Sequence, residues 1–474
     1  MHDTIFRMYD IRGKVGIELL IPQTYDLIRA LAVYLVEKQP MLKTVVVGMD
    51  GRTHSPLIKD EVCRALLDSG LDVIFLGVCH SPLMYFSLRS LPVDAGIMIT
   101  ASHNPKEYNG FKICLGTESL WGEAFQEIKQ LYKQKVSLFA PARGVYREES
   151  IIPHYVRYLA QCFPQLVGMS SSMIFDCGNG ATGVVIPELI ETMQWKKARV
   201  LCAEVDGTYP NHDADPVVDE NMRDVKQVLQ ETDAVVGIGF DGDGDRMAAM
   251  TKQGYLVAGD QMLALLSAAH IRQYPGAAIV CDIKSSSVLL DVIEQQGGRA
   301  VLSPSGHSLI KRAMKQCDAK IGGELSGHFF FSDYYFGYDD GVYAALRLLS
   351  LLQEQQTTLH DLVNRLPVKV SSPEFRLACD EDKKHEIISA VRTTLALRSD
   401  VQLNIIDGVR ATFPIGMGIL RASNTQPVLS MRFEADTRHD LQELKEVFIK
   451  AMAPYLDESL LQKELMERRG GSGT

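Results

Sequence analysis

Residues 44–76 have the sequence TVVVGMDGRTHSPLIKDEVCRALLDSGLDVIFL, in which an apolar run, an amphipathic stretch and a second apolar run follow one another. The short runs 44–48 and 73–76 are typical of buried strands. The intervening residues 57–67 have the apolar spacing of a helix that packs on one face. A strand, a helix and a strand in this order predict a βαβ unit.

The same alternation continues along most of the chain. Further strand-like runs occupy residues 95–99, 173–175, 199–202, 234–238, 278–281 and 300–302, and a second clear helical stretch covers 222–229. This pattern predicts mostly parallel α/β sheets, in which ligands bind at loops that follow the strands. After residue 367 the pattern changes to the strand-like runs 409–413, 419–421 and 428–433, followed by an amphipathic helix. We therefore expect three α/β units and then a smaller α+β domain.

The length of 474 residues is too great for a single core of about 150 residues. Polar stretches or turns near residues 150, 253 and 367 are the predicted boundaries. The expected domains are 1–149, 150–253, 254–367 and 368–469. Residues 470–474, with the sequence GGSGT, have the composition of a flexible linker.

The overall charge disfavours nucleic acid as the main partner. Acidic residues outnumber basic ones by 59 to 49, which gives a net charge of −10 and no broad cationic surface. A few basic side chains in one cleft still suffice to bind a small anionic substrate. The nine cysteines include no CxxC pair, and no apolar stretch reaches about 18 residues. We expect buried thiols in a reducing compartment, neither a disulfide framework nor a zinc site at these cysteines, no membrane partner and a soluble cytoplasmic protein.

The first motif with chemical potential is ITASHNP at residues 99–105, where a predicted strand enters a small, polar loop. We expect Ser102 to be exposed on a fixed backbone, as a nucleophile or a phosphoryl carrier, with His103 or Lys112 nearby. The alternative is a polar turn capped by Asn104. Adjacent side chains of an extended segment point to opposite faces, so the sequence does not imply a Ser-His triad.

The second motif is FDGDGDR at residues 240–246, which ends another apolar run. The carboxylates of Asp241, Asp243 and Asp245 repel one another unless a cation lies among them, and the intervening glycines let the backbone fold around it. Hard oxygen ligands favour Mg²⁺. The alternative is a solvated acidic turn, which the directly preceding apolar run disfavours.

Two other interpretations of the acidic motif are weaker. An EF-hand loop that starts at Asp241 requires glycine at the position of Arg246 and glutamate at that of Lys252. Residues 237–242 match the dinucleotide pattern GxGxxG, but a strand-like run at 247–250 follows them instead of a helix.

The third motif is GGELSGH at residues 322–328. Glu324, Ser326 and His328 are suited to bracket sugar hydroxyls or to move a proton, whereas the alternative for the histidine is a structural role.

The fourth motif is RASNTQP at residues 421–427, where Arg421 precedes the short polar side chains of Ser423, Asn424 and Thr425. These groups suit a phosphate cradle, and the alternative is an ordinary turn between strands. The four motifs fall in separate predicted domains, which suits one site assembled from all four.

Together these motifs resemble those of the α-D-phosphohexomutase superfamily, and most closely its phosphomannomutase/phosphoglucomutase branch. Further segments that carry the resemblance are YDIRG at 9–13, NGFK at 109–112, DGTYPNH at 206–212, SGH at 305–307 and GYDDG at 337–341. The resemblance covers nearly the whole chain. It implies a heart-shaped enzyme with three related mixed α/β/α sandwich domains and a final α+β domain similar to the TATA-binding protein.

The resemblance also implies roles for individual residues. Ser102 would carry a phosphoryl group and, with Asp241, Asp243 and Asp245, would hold one Mg²⁺ per chain. Glu324 and Ser326 would bind sugar hydroxyls, and Lys112 or His328 would be the acid/base group. The phosphate that is not reacting would be bound by Arg421, Ser423, Asn424 and Thr425, helped by Tyr9. The remaining cleft residues would be Arg12, His103, Arg246, Lys284, Gly306 and His307.

The activity implied is the interconversion of hexose 6-phosphate and hexose 1-phosphate, of mannose, glucose or both. It proceeds through an enzyme phosphoserine, with hexose 1,6-bisphosphate as intermediate and activator. The partner would be a small phosphosugar, and the protein a monomer or weak dimer. Phosphoglucosamine mutase is an alternative, which Leu325 disfavours because that branch typically has glutamine there. A metal-dependent phosphate-monoester hydrolase and a non-catalytic sugar-phosphate binding protein are alternatives of other classes.

Overall fold

The structure is a computed structural model that describes residues 1–422 and 428–467. The chain divides into two compact units. The first comprises Met1–Met262 and Ser326–Val363, and the second comprises Leu263–Leu325 and the described residues from Asn364 onward.

Residues 11–148 form a mixed sheet of seven strands with helices packed on it. Its strands are β1 (Ile11–Lys14), β2 (Thr44–Met49), β3 (Asp72–Val78), β4 (Ala95–Ile99), β5 (Tyr108–Leu115), β6 (Glu118–Ser119) and β7 (Tyr146–Glu148). Its helices are α1 (Ile21–Lys38), α2 (Ser55–Asp68), α3 (Ser81–Ser90) and α4 (Glu123–Lys133). The strand order is β1-β5-β4-β2-β3-β7, with β6 beside β5.

The central strands of this sheet are apolar because helices cover both faces. Val45, Val47, Ile97 and Ile99 belong to one buried core with the inner faces of α1 and α2. Strands β2 and β4 are parallel, and Met49 lies opposite Ile99. The loops that follow these two strands therefore begin at the same edge of the sheet.

Residues 152–257 form the second α/β region of the first unit. Its elements are α5 (Ile152–Cys162), β8 (Met173–Asp176), α6 (Ile186–Thr192), β9 (Ala198–Leu201), α7 (Arg223–Glu231), β10 (Val236–Phe240), β11 (Met247–Thr251) and β12 (Leu256–Val257). The strand order is β12-β11-β10-β8-β9. Strands β10, β8 and β9 are parallel, so Asp176 and the acidic motif after Phe240 lie at one edge.

Residues 259–363 contribute to both units. Their elements are α8 (Gly259–Gln273), β13 (Ala278–Asp282), α9 (Ser287–Gln295), β14 (Arg299–Ser303), α10 (His307–Cys317), β15 (Ile321–Gly323), β16 (Phe329–Phe331), α11 (Gly341–Gln355) and α12 (Leu359–Val363). In the second unit, β13 lies between β14 and β15 and is parallel to both. In the first unit, the carboxylate of Asp340 caps α11 by accepting from the amide of Tyr343 over 2.9 Å.

The described residues 370–467 form an antiparallel sheet with helices on one side. The elements are β17 (Val370–Ser371), β18 (Phe375–Ala378), α13 (Glu381–Ala396), β19 (Gln402–Asn404), β20 (Val409–Phe413), β21 (Gly416–Ala422), β22 (Val428–Ala435), α14 (Arg438–Met452) and α15 (Glu458–Gln462), with a π-helical turn at Lys463–Glu467. The strand order is β17-β22-β21-β20-β19, with β18 beside β22. Helix α14 buries Leu444 and Phe448 in the core of this domain.

The predicted fold class is confirmed, with α/β regions followed by an α+β domain. Short 3-10 helices at Asp3–Ile5, Pro164–Leu166, Ala181–Val184 and Asp219–Met222 add to the larger elements. All nine cysteine thiols are free, as expected. Within the described residues, no helix has both the length and the apolar composition needed to span a bilayer.

Candidate active site

The serine loop starts where β4 ends and turns sharply at Ser102. This residue has a φ of 52°, a left-handed conformation that is uncommon without glycine, and the hydroxyl of Thr100 stabilises it by accepting from its amide over 2.9 Å. The expectation of an exposed serine was wrong, since Ser102 is only 2% exposed. The expectation of an extended segment was also wrong. The turn brings the Ser102 hydroxyl 3.1 Å from Nδ1 of His103.

The Ser102 hydroxyl is bonded to the acidic motif. It donates to Oδ2 of Asp241 over 2.7 Å. The backbones of the two loops are also in close contact, because a Cβ added to Gly242 would lie 2.6 Å from the carbonyl oxygen of Ser102. The chain therefore brings the first two sequence motifs together.

Arg52 holds the serine loop in place and was missed by the sequence analysis. Its Nη2 donates to the carbonyl oxygens of Ser102 and Asn104, over 2.7 and 2.6 Å. Its Nη1 donates to those of Pro105 and Tyr108, over 2.7 and 3.0 Å. One buried guanidinium thus binds four carbonyl groups, which uses the fixed fork of donors that arginine provides.

The sequence did contain a signal for this residue. Asp50 and Arg52 directly follow a predicted strand, at the position where functional loops of α/β sheets are expected. In the structure, Nε of Arg52 donates to Oδ2 of Asp50 over 3.1 Å, and both side chains are fully buried.

The acidic motif gathers three buried carboxylates. One oxygen from each of Asp241, Asp243 and Asp245 lies within 4.8 Å of the others. Oδ2 of Asp243 accepts from Lys112 over 2.6 Å and also from the hydroxyl of Ser81, a second residue that the sequence analysis missed. Oδ1 of Asp243 is buried and has no hydrogen-bond partner among the residues that the structure describes. A buried carboxylate oxygen without a donor, beside two further carboxylates, fits the ligand set of a hard divalent cation.

The electrostatics of the cluster support the same interpretation. Burial raises the pKa of Asp241 well above its ordinary value, and the charges of Asp243 and Asp245 raise it further. Burial disfavours the ammonium group of Lys112, but the charges of Asp243 and Asp245 outweigh this and raise its pKa. Lys112 therefore stays charged and balances part of the negative charge, while the excess of carboxylates still favours a cation.

Arg246 and His328 extend the cluster within the first unit. Nε of Arg246 donates to Nε2 of His328 over 3.3 Å, and Oδ1 of Asp245 also lies 3.3 Å from that nitrogen. The other ring nitrogen of His328 is 3.0 Å from the hydroxyl of Ser326. The backbone amide of Arg246 donates to Oδ1 of Asp241 over 3.2 Å, which closes the loop on the carboxylates.

Arg12 contacts the serine loop from β1. Its Nη1 donates to Oδ1 of Asn104 over 2.9 Å, and its Nη2 is paired with Asp10 over 2.6 Å. Tyr9 is half-buried just before this strand. The first unit thus joins the following predicted residues through successive contacts: Arg12, Ser102, His103, Lys112, Asp241, Asp243, Asp245, Arg246, Ser326 and His328.

The second unit holds five further predicted residues, namely Lys284, Gly306, His307, Glu324 and Arg421. The amide of Gly306 donates to Oε1 of Glu324 over 2.7 Å. Gly306 has a φ of 134°, which side chains with a Cβ rarely adopt, so glycine is needed for the amide to face the carboxylate. His307 is buried as the first residue of α10.

Asp407 connects Arg421 to the same loop and was also missed. Its Oδ2 accepts from Nη2 of Arg421 over 2.5 Å and from the amide of Ser305 over 3.3 Å. The Ser305 hydroxyl donates to Oδ2 of Asp282, which is 3.6 Å from Nζ of Lys284. Ser423, Asn424 and Thr425 lie outside the described residues.

Comparisons with known proteins agree with this arrangement along the chain. Three models of the phosphoglucomutase/phosphomannomutase α/β/α domains I, II and III match residues 3–138, 153–254 and 258–370, and the model of the C-terminal domain matches 374–451. The phosphomannomutase/phosphoglucomutase of Pseudomonas putida is 39% identical over 94% of this chain and 95% of its own length. The phosphoglucomutase of Neisseria meningitidis serogroup A is 36% identical over 94% and 95%, respectively.

Solved structures give the same result. A phosphoglucomutase/phosphomannomutase family protein from Burkholderia thailandensis superposes with a TM-score of 0.89 and 32% identity, over 96% of this chain and 98% of its own. The N-acetylphosphoglucosamine mutase of Aspergillus fumigatus, solved with GlcNAc-6P and magnesium, has a TM-score of 0.60 over 93% and 94% of the two chains. At 15% identity, the latter likeness shows the fold alone.

The fold and these relatives define a mutase, an isomerase that transfers a phosphoryl group within its substrate. The chain belongs to the phosphoglucomutase/phosphomannomutase family, within the superfamily that its motifs predicted. The four-domain α/β architecture is likewise confirmed.

Proposed function

We propose that the protein interconverts the 6-phosphate and 1-phosphate of mannose and glucose through a phosphoserine at Ser102 and a hexose 1,6-bisphosphate. The observation that carries the proposal is the buried bond of 2.7 Å from the Ser102 hydroxyl to Asp241. A hydroxyl fixed beside an acidic cluster is placed to accept and return a phosphoryl group while water is excluded. The names of the Pseudomonas and Neisseria relatives support the choice of sugars.

The carboxylates of Asp241, Asp243 and Asp245, with one oxygen of phosphorylated Ser102, are the proposed ligands of one Mg²⁺. The buried Oδ1 of Asp243, for which the described part of the chain supplies no hydrogen-bond partner, supports this ligand set. Bound there, the ion would supply positive charge against the phosphoryl group in transit. Lys112 remains bonded to Asp243 and Asp245 and orients both carboxylates.

The proposed reaction has two transfers. In the first, a hydroxyl of the hexose monophosphate attacks the phosphorus of phosphoserine 102, the bond from phosphorus to Oγ breaks, and the hydroxyl proton passes by way of the acid/base group to the serine oxygen. In the second, that oxygen attacks the phosphorus of the other phosphate of the 1,6-bisphosphate, the bond from this phosphorus to the sugar oxygen breaks, and the proton passes by way of the acid/base group to that sugar oxygen. We propose Lys112 or His328 as the acid/base group, and the raised pKa of Lys112 favours His328 in this role. Arg12, His103 and Arg246 are proposed as neighbours of the reacting phosphate.

Recognition of the substrate is assigned to the remaining predicted residues. Glu324 and Ser326 are proposed to bind sugar hydroxyls. The phosphate that is not reacting is assigned to Arg421, Ser423, Asn424 and Thr425, helped by Tyr9. Lys284, Gly306 and His307 are proposed to bind the substrate elsewhere in the cleft. Asp407 supports this assignment for Arg421, because it fixes one edge of the guanidinium and leaves the other donors to form a fork for phosphate.

The test is a coupled assay of mannose 1-phosphate, glucose 1-phosphate and glucosamine 1-phosphate conversion, with and without hexose 1,6-bisphosphate. We expect turnover of the first two, dependence on bisphosphate, and at least a 1,000-fold loss in Ser102→Ala. Ser87→Ala is the matched control, because Ser87 is a buried serine that donates only to the carbonyl of Met84 among its described contacts.

Other outcomes would overturn the proposal. Release of free phosphate without bisphosphate dependence identifies a hydrolase, and preference for the amino sugar identifies a phosphoglucosamine mutase. Near-normal turnover by Ser102→Ala contradicts the phosphoserine. Intact mass of the purified protein, with and without bisphosphate, tests for the added phosphate directly.

We also propose that the protein acts in the cytoplasm as a monomer or weak dimer, with the sugar phosphate as its partner. The nine free thiols support a reducing compartment. Light scattering of the purified protein over a range of concentrations tests the oligomeric state.

A further inference from the structure

Three chemically different donors converge at the edge of the second sheet. Asp176 is the last residue of β8, Cys202 directly follows β9, and these neighbouring strands are parallel. The loop after β9 returns His212 to the same place. Nε2 of His212 is 3.2 Å from Oδ2 of Asp176 and 4.0 Å from Sγ of Cys202, and the three donor atoms all lie within 4.8 Å of one another.

We propose that Asp176, Cys202 and His212 form a zinc site that is separate from the carboxylate cluster. A thiolate, an imidazole and a carboxylate are the ligands that zinc prefers, whereas Mg²⁺ prefers oxygen alone. In a tetrahedral zinc site, the nitrogen and oxygen ligands are about 3.3 Å apart and the nitrogen and sulfur about 3.6 Å. The first distance is already present, and the nitrogen–sulfur distance exceeds the tetrahedral value by a few tenths of an ångström.

The surroundings orient each donor. Nδ1 of His212 lies 2.9 Å from the carbonyl oxygen of Asp213, so it donates there and leaves Nε2 as the ligand atom. Nε2 then faces a carboxylate oxygen, an arrangement that requires either a second proton or a cation between them. Asp176 itself is fixed by the amide of Gly178, which donates to Oδ1 over 2.9 Å and leaves Oδ2 available.

The backbone conformation and the partial burial of Cys202 also suit a zinc ligand. Its φ of 47° is uncommon for a residue other than glycine, and the amide of Asn179 holds it by donating to its carbonyl oxygen over 2.9 Å. Cys202 is half-buried, and the His212 side chain is 12% exposed, so an ion can enter and water can fill the fourth position. This site shares no ligand with the cluster of Asp241, and the inference does not rest on the proposed function.

The experiment uses the full chain, stripped of metal by chelation and then saturated with Mg²⁺ to fill the all-oxygen site. Co²⁺ is added as a spectroscopic probe. We expect a near-ultraviolet band from thiolate-to-cobalt charge transfer that saturates at one equivalent and disappears on addition of Zn²⁺. An all-oxygen site has no thiolate and gives no such band. Zn²⁺ should also raise the melting temperature of the protein.

Variants identify the ligands. Cys202→Ser should abolish the band, and His212→Gln should weaken Co²⁺ binding at least tenfold. Cys317→Ser is the matched control, since Cys317 is also a half-buried free thiol, and it should retain the band. If Cys202→Ser fails to fold, Asp176→Asn provides the second test and should weaken binding at least tenfold. Absence of the band in the unmodified protein, or its persistence in Cys202→Ser, would overturn the proposal.

Discussion

The hydroxyl of Ser102 donates to the carboxylate of Asp241, although the two residues are 139 positions apart. The serine loop follows β4, and the carboxylate follows β10, so loops at the ends of two different sheets meet at this bond. The same two loops touch again where Gly242 approaches the carbonyl of Ser102. The geometry of the serine is therefore set by the second sheet as much as by the first.

Gly242→Ala should impair turnover without unfolding the protein. Its Cβ would lie 2.6 Å from the carbonyl oxygen of Ser102 and 3.0 Å from the hydroxyl of Tyr209, so one of the two loops must shift. Because small displacements of reacting groups are costly, we expect kcat to fall about 100-fold. Gly168→Ala is the control for backbone strain without a close contact, since its φ of 74° disfavours alanine but no described atom lies within 4 Å of the added methyl group. Equal activity of the two variants would contradict this account.

Arg52→Lys should destabilise the serine loop despite keeping the charge. Lysine has one ammonium group in place of the fork that binds four carbonyls, and Asp50 would keep a buried charge with poorer compensation. We expect a loss of about 3 kcal/mol in the free energy of unfolding, measured by urea denaturation. The control is Arg64→Lys on α2, where the arginine side chain is 51% exposed. If Arg52→Lys lowers the free energy of unfolding by less than the control does, the hydrogen bonds of Arg52 to the four carbonyl groups contribute little to stability.

Removal of magnesium should abolish turnover, and Asp243→Asn should raise the Mg²⁺ concentration for half-maximal activity at least tenfold. The substitution removes a charge from the proposed ligand set and leaves Lys112 with one fewer carboxylate. Titration of activity with Mg²⁺ after EDTA treatment measures the shift. Asp233→Asn serves for comparison, because that carboxylate is 74% exposed. An unchanged Mg²⁺ requirement would exclude Asp243 as a ligand.

Arg421→Lys should raise the KM for sugar phosphate at least tenfold and change kcat less. Lysine keeps the charge but cannot bind Asp407 and a phosphate with separate, coplanar donors. Initial rates at a fixed concentration of bisphosphate separate the two constants. Arg398→Lys is the control, because the Arg398 side chain is 42% exposed and is paired with Asp400. This variant should leave both KM and kcat unchanged. A fall in kcat alone would place Arg421 in the chemical step instead of in binding.

Ionisation of the Asp340 carboxyl group should make the free energy of unfolding of the protein depend on pH. Burial raises its pKa to about 6, although Tyr343, Tyr335 and Tyr155 all donate hydrogen bonds to it. The stability that the protonated group provides is complete below its unfolded pKa of 3.8 and is lost as the pH rises through 6. The stability of the protein relative to Asp340→Asn should therefore fall by about 1–2 kcal/mol between pH 5 and 7.5. A difference that does not vary with pH would contradict this prediction.

The strands were the most predictable feature, because each depends on its own side chains. The run 409–413 coincides with β20, and 95–99 coincides with β4, since apolar residues over this length need burial on a sheet. The acidic motif was also recognisable, because neighbouring residues supply the whole carboxylate set. Arg52 and Asp407 were not found, because only the fold brings each of them to its partners. The carbonyl groups that Arg52 binds are at least 50 positions away in the sequence, and Arg421 is 14 positions from Asp407. The burial of Ser102 was missed for the same reason.

The bond between Ser102 and Asp241 has a consequence for synthesis of the protein. On a ribosome that adds about 5–20 residues per second, the serine is synthesised roughly 7–28 s before the carboxylate that accepts its hydrogen bond. During that interval, the side chains of Ser81, Ser102 and Lys112 are already present but lack their carboxylate acceptors. The proposed catalytic centre can thus form only when translation has passed the second sheet, and a nascent chain that stalls earlier lacks the carboxylates that complete it.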